Sequence, residues 1–241
     1  MNIFFTPDIT GNQYTLTEEE SKHCIRVLRH SKGDMLTLVD GVGGWYLAEI
    51  IDANPKRCLV TVTEKKVNFE KRNYHLHIAI APTKNIERME WFLEKATEIG
   101  IDEITPLLCE HSERKQIKTD RLEKVMVSAM KQSLKAYLPK LNNLTTFDSF
   151  VKEYNAVDHL AKPNFRFIAH CSEGEKMNLF EAAKPSTSVL VLIGPEGDFS
   201  PTEIQTAMKN GFREISLGKS RLRTETAGIV TVQLINFLNE K

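Results

Sequence analysis

The chain has 241 residues, and its 32 Lys and Arg balance 32 Asp and Glu to a formal net charge of zero. An average of zero argues against a partner held by bulk electrostatics, such as nucleic acid or an anionic membrane. A hydrophobic fraction of 41% beside 27% charged residues excludes a disordered chain, and no apolar run reaches the roughly 18 residues of a membrane span.

The opening residues, MNIFFTPDITGN, lack the basic start and long apolar stretch of a signal peptide, so a cytoplasmic protein is expected. Thr17-Glu18-Glu19-Glu20 carries a capping-box signature: the Thr hydroxyl takes the third backbone N–H and Glu20 reaches back. A short helix follows, ending near Gly33. DMLTLVD, WYLAEIID and CLVTVTE are β-type runs, punctuated by turns at Gly41-Val42-Gly43-Gly44 and Asn54-Pro55. A helix beside several short antiparallel strands predicts a small β-barrel over residues 1–68. Lys65–Asn73 is polar and reads as a linker.

From residue 74 the rhythm changes to alternating strands and helices. YHLHIAIAP reads as a strand. Ile86, Met89, Phe92, Leu93, Ala96 and Ile99 share one helical face, and Gly100 stops that helix. DEITPLL is a strand, Asp120–Leu134 a helix, and FRFIAH and SVLVLIG are further strands. Ser200-Pro201-Thr202-Glu203 combines an N-cap, a Pro at the first helical position and a capping-box Glu, for a helix ending at Gly211. REISLG is one more strand, and Thr224 starts the last helix. This alternation predicts an α/β domain over 74–241 with a mostly parallel sheet. Ligands in such sheets bind beyond the carboxyl ends of the strands. Cys24, Cys58, Cys109 and Cys171 are widely spaced with no CxxC pair, which predicts free, mostly buried thiols and no metal site.

Two strand ends run into glycine-bearing loops. SVLVLIG leads into Gly194-Pro195-Glu196-Gly197-Asp198-Phe199-Ser200, and REISLG leads into Gly218-Lys219-Ser220-Arg221-Leu222-Arg223-Thr224. Each could be a tight turn and nothing more. Two of them, both entering well-capped helices, point together to a small-molecule site. Neither loop is GxGxxG or a P-loop, so nicotinamide and ATP are poor matches.

Four segments, HCIRVLR, ERMEWFLEKATEIGIDEITPL, IGPEGDFS and LGKSRLRTETA, stand in an order and spacing that resembles the RsmE family. These are uridine N3-methyltransferases of small-subunit (16S) ribosomal RNA within the SPOUT superfamily of S-adenosylmethionine enzymes, and the resemblance covers essentially the whole chain. It implies a deep trefoil knot in the C-terminal domain, an N-terminal PUA-like RNA-binding barrel, and a homodimer whose active sites are completed near the partner chain. The substrate implied is small-subunit ribosomal RNA, in the assembled particle. The implied cradle for S-adenosylmethionine is Ile193, Gly194, Glu196 and Gly197 from the first loop, and Leu217, Gly218, Ser220, Leu222, Arg223 and Thr224 from the second.

Against that expectation the neutral average divides into patches. Lys22, Arg26, Arg29 and Lys32 face only Glu20 within residues 20–33, with His23 and His30 added. On a regular helix His23, Arg26 and His30 share a face, with Arg29 beside it, while Cys24, Val27 and Leu28 form the apolar stripe. Residues 114–140 carry eight bases against two acids, and Lys219, Arg221 and Arg223 form a third cluster. Any one such run is usually a solvated face. Three beside a methyl-transfer site favour phosphate contacts, with His23, Arg26, Arg29, Arg114, Lys115, Gln132 and Lys135 as the expected RNA-binding residues.

The uracil N3 carries a proton at neutral pH, so its methylation needs a base or a cation that stabilises the anion. Arg223 is the candidate for the anion, Glu110 the candidate base, with Glu225 behind it. A carboxylate in a first helical turn is also favoured by the helix dipole alone, and Arg223 could bind phosphate with no chemical role. The sequence departs from the family pattern at Asp198 and Leu134, where Gly is common, at His111 and Lys135, where Arg is common, and at Arg221, where an aliphatic residue is frequent. Asp198 narrows the loop or caps the following helix. Other readings are a SPOUT enzyme acting on a ribose 2′-oxygen or a guanine, a non-catalytic ribosome-assembly factor, and a metabolic α/β enzyme with no RNA.

Overall fold

The computed structural model describes residues 2–156 and 163–240. They fall into two compact units. The first comprises Met1–Lys71 and, from far along the chain, Val127–Leu138; the second comprises Arg72–Met126 and Pro139–Lys241.

The first unit is a curled five-stranded sheet in the order β1-β3-β4-β5-β2, made of β1 (Ile3–Phe5), β2 (Gln13–Thr15), β3 (Met35–Val39), β4 (Trp45–Asp52) and β5 (Leu59–Lys66). β3, β4 and β5 are the three strands expected. β1 and β2 are three residues each, too short to show a period, and β1 joins β3 in parallel, so the sheet is not wholly antiparallel. Phe4, Leu16, Cys24, Leu36, Leu38, Ile50 and Val60 fill its interior.

The helix of this unit is shorter than expected. α1 (Glu18–Lys22) passes into one π-helical turn, His23–Val27, instead of continuing to Gly33. Thr17 caps it by accepting the Glu20 N–H at 3.3 Å, as the capping box requires. Glu20 does not reach back; its carboxylate binds Lys131 Nζ. The wider π turn, closed by Leu28 N–H on the His23 carbonyl, shifts the following residues round the axis. Cys24 therefore stays buried while Val27, expected on the apolar stripe, is 64% exposed.

Residues 127–138 dock on this unit through the glycine turn of residues 41–44. Gly43 N–H donates to the Ala136 carbonyl and Leu138 N–H to the Gly41 carbonyl. A Cβ on Gly43, whose φ is +98°, would collide with the Tyr137 ring. The turn is glycine-rich because another stretch of backbone lies against it.

The second unit is a sheet in the order β11-β13-β10-β12-β6-β7-β8, with every pairing parallel. Its expected strands are β6 (His75–Ile80), β7 (Glu103–Leu108), β10 (Phe165–Ala169), β12 (Ser188–Ile193) and β13 (Arg213–Ser216). The central strands are nearly continuous apolar runs because helices cover both faces. α2 (Ile86–Ile99) buries Met89, Phe92, Leu93 and Ala96, and Gly100 ends it at φ +128°. α7 (Thr224–Asn239) packs against α2 so closely that a Cβ on Gly228 would overlap the Phe92 ring. On the other face α6 (Pro201–Lys209) begins with the predicted capping box, both halves formed. α3 (Thr119–Gln132) is the helix expected near 120–134. The two-residue strands β8 (Lys140–Leu141), β9 (Thr145–Thr146) and β11 (Met177–Asn178), and the helices α4 (Phe147–Ala156) and α5 (Leu179–Ala182), were not anticipated. Among the described residues no helix is long and apolar enough to cross a membrane.

Candidate active site

The carboxyl ends of β10, β12 and β13 open into one cavity of about 730 Å³. Its walls take in the predicted cradle: Ile193, Gly194 and Glu196 from the loop after β12, and Leu217, Gly218, Ser220, Leu222, Arg223 and Thr224 from the loop after β13. Gly197 is the exception: it is exposed and off the cavity wall, and a Cβ there would lie 3.0 Å from the His111 Cβ. Thr224 Oγ1 donates to the Gly194 carbonyl at 3.0 Å, which ties the two loops together at the root of the cavity. A side chain on Gly194 would be crowded, since a Cβ would lie 3.1 Å from the Phe199 backbone nitrogen.

Asp198 explains one departure from the family pattern. Its φ is +64°, a left-handed conformation that glycine adopts freely and other residues rarely. Its carboxylate accepts from the Cys171 N–H at 2.7 Å and the Phe199 N–H at 2.8 Å. Asp198 thus pins the loop after β10 to the loop after β12; the helix cap is Ser200 alone. Leu134, the other residue standing where Gly is common, also has a left-handed backbone at φ +57°.

The third wall of the cavity, Ala169, His170, Cys171, Gly174 and Lys176, was missed in the sequence. The signal available was the general rule that every carboxyl strand end borders the ligand. Lys176 Nζ donates to His170 Nδ1 at 3.1 Å and to the His170 and Ser172 carbonyls. An ammonium can only donate, so the His170 proton sits on Nε2 and points at Glu214 Oε1, 2.8 Å away. Burial and the Lys176 charge hold this imidazole below the usual histidine range.

The chemistry of the lining suits a nucleoside-sized ligand. Ile193, Ile215, Leu217, Leu222 and Ala227 supply apolar surface. Residues 217–223 form no regular secondary structure and present peptide groups that can match the edge of a purine.

The proposed bases separate in space. Glu110 is exposed at the end of β7, and its backbone N–H donates to Glu203 Oε1 at 2.9 Å; it does not line the cavity. Arg223 is exposed at the start of α7 and lines the cavity, with Glu225 buried two residues on. His111, Nδ1 3.1 Å from the Asp198 carbonyl, braces the first glycine loop from outside.

The basic residues divide between the two units. His23, Arg26, Arg29 and Gln132 are exposed in the first, with Lys135 half-buried there. Arg29 has φ +60°, set by the end of the π turn. In the second, Lys115 is exposed, but the Arg114 guanidinium is engaged with the Thr83 and Lys84 carbonyls. Within the run 114–140, Arg121, Lys131 and Lys140 are ion-paired with Glu90, Glu20 and Glu103. The patch is therefore less positive than the sequence count suggests.

Comparison with known proteins agrees with this layout. The RNA methyltransferase domain family matches residues 70–236, and the RNA methyltransferase PUA domain family matches residues 16–63. A probable rRNA-methyltransferase from Porphyromonas gingivalis is 42% identical, with a TM-score of 0.90 over 100% of this chain and 99% of its own. The chain belongs to the ribosomal RNA small subunit methyltransferase E family. The member from Mesomycoplasma hyopneumoniae is 30% identical over 95% of this chain and 96% of its own length. A Legionella pneumophila protein solved with SAM bound is 28% identical, with a TM-score of 0.84 over 98% of this chain and 97% of that one. The second unit thus carries the RNA methyltransferase domain and the first the PUA domain.

Proposed function

We propose that this methyltransferase E family member transfers a methyl group from S-adenosylmethionine to N3 of a uridine in small-subunit ribosomal RNA. The observation that carries the reading is the cavity closed between the two glycine loops, with Arg223 on its rim. The cofactor supplies an activated methyl on a sulfonium, so the chain's residues have to orient and deprotonate. Ile193, Gly194, Glu196, Leu217, Gly218, Ser220, Leu222 and Thr224 hold it, and Gly197 gives the first loop its close approach to His111. Arg223 stabilises negative charge on the uracil. Glu225 is favoured over Glu110 as the base because it lines a second cavity that shares Arg223 with the first, whereas Glu110 lines neither.

Residues 1–68 act as the RNA-binding domain, and 74–241 as the catalytic one. His23, Arg26, Arg29, Lys115, Gln132 and Lys135 contact RNA phosphates or bases, with Arg114 holding the loop after β6 as its first task. The resemblance adds a knotted C-terminal path, a cytoplasmic homodimer and the assembled subunit as substrate.

The test is methylation of small-subunit particles from a strain lacking the activity, read by nucleoside mass spectrometry. The expected product is 3-methyluridine. A methylated ribose or guanine would overturn the assignment of the target atom, and cofactor binding without turnover would favour an assembly factor.

A further inference from the structure

A second cavity, of about 600 Å³, adjoins the first and shares Arg221, Leu222 and Arg223 with it. Its other walls include Arg88 and Trp91 from α2, and Glu225 from α7. Trp91 is 43% exposed, unusual for so large an apolar ring on a helix whose other face is fully buried. Arg88 precedes it by three residues and so lies on the same face.

Glu225 is the decisive residue. It is 7% exposed, yet its carboxylate accepts no hydrogen bond among the described residues. Oε2 is buried without a partner, and Oε1 stands 3.9 Å from Arg88 Nε, beyond hydrogen-bond length. Burying a carboxylate in this state is costly, and such a group in a native structure marks stored strain, a catalytic role, or a water or ion that completes it. A helix dipole accounts for an acid in this turn but not for one without a donor.

We propose that this cleft is the subsite for the methyl-accepting base. The unstacked uracil lies on the Trp91 ring, Glu225 accepts its N3–H, and Arg88 holds the Glu225 carboxylate from the far side. The assignment rests on the methyl-transfer reading above. Three arginines, Arg88, Arg221 and Arg223, lining one cavity with an exposed tryptophan favour a nucleotide over an apolar protein surface. In the step itself the N3 proton passes to Glu225 and the N3 electron pair takes the methyl group. The pair of the broken C–S bond stays on sulfur, so charge balances as carboxylate and sulfonium become acid and thioether.

The test combines binding and turnover. Single-stranded oligouridylate RNA, added with S-adenosylhomocysteine present, should quench the emission of the wild-type protein, and Trp91→Phe should remove the quench. Trp91→Ala should raise KM for small-subunit particles about ten- to a hundredfold, with S-adenosylmethionine affinity unchanged. Trp91→Phe, which can still stack, should recover most of that. Glu225→Gln should lower kcat at least about a hundredfold while both ligands still bind. An equal quench in Trp91→Phe, normal KM in Trp91→Ala, or normal kcat in Glu225→Gln would overturn the subsite. So would dissociation of an oligomer by Trp91→Ala, which would make Trp91 a subunit contact. If the wild type fails to methylate the particles, the functional reading falls, and the quench still decides the cleft.

Discussion

The two edges of the parallel sheet use the same kinds of polar residue to opposite ends. At the amino edge three polar side chains, Asp102, Asn236 and His77, are closed on others. Asp102 accepts from the Leu76 N–H and pairs with Arg72 at 2.5 Å. Buried Asn236 donates to the Gly100 and Val232 carbonyls and accepts from Tyr74. His77 is held between Thr105 and Tyr154, at 2.8 and 2.6 Å. At the carboxyl edge Arg223 is exposed beside the cavity and Glu225 is buried without a donor. The difference separates stability from the proposed function: the closed groups hold the sheet, and Arg223 and Glu225 are the pair proposed to meet the substrate.

Breaking one edge should therefore leave the other intact. The largest effect belongs to Arg223→Ala, which should cut methylation about a hundredfold or more and leave thermal unfolding nearly unchanged. Asn236→Ala should do the reverse. It strands the Gly100 carbonyl and the Tyr74 hydroxyl, so chemical denaturation should show a loss of about 2–4 kcal/mol. Cofactor affinity measured by calorimetry should not move.

His77 sharpens the comparison through pH. Burial lowers its pKa from 6.5 to about 4, with Glu103 pulling the other way. The unfolded chain then binds the proton first, so the neutral buried ring contributes stability that is full above about pH 6.5. That stability is lost as pH falls towards 4. The loss should amount to roughly 3 kcal/mol, visible as a falling unfolding midpoint between those pH values and absent in a His77→Gln variant. The smallest effect is expected of Asp198→Gly. Glycine relieves the left-handed backbone but forfeits the bond to Cys171, so stability should change by less than about 1 kcal/mol. The affinity for S-adenosylmethionine should fall severalfold as the third wall loosens.

Much of this was legible because local chemistry and tertiary environment agree. Helix α2 followed its apolar face to the residue, and the box at Ser200 and Glu203 formed in full. The two glycine loops converge because parallel strands deliver their carboxyl ends to one edge. Other features depend on distant partners. Glu20 deserts its capping role for Lys131, 111 residues away, and residues 127–138 join the first unit by fitting the glycine turn at 41–44. Neither leaves a local pattern. The unsatisfied state of Glu225 is likewise invisible in sequence, where the residue looks like an ordinary acid at a helix start. The neutral composition misled in a different way, since acids that balance the sum also neutralise parts of the basic run, as Glu90, Glu20 and Glu103 do.

The most direct test of the open edge is amide hydrogen exchange with and without S-adenosylmethionine. Protection should appear at residues 169–176, 193–198 and 215–227, the three walls of the carboxyl-edge cavity, with the amino edge around Leu76, Asp102 and Tyr74 unchanged. Protection centred on the amino edge, or none in the two glycine loops, would contradict the account.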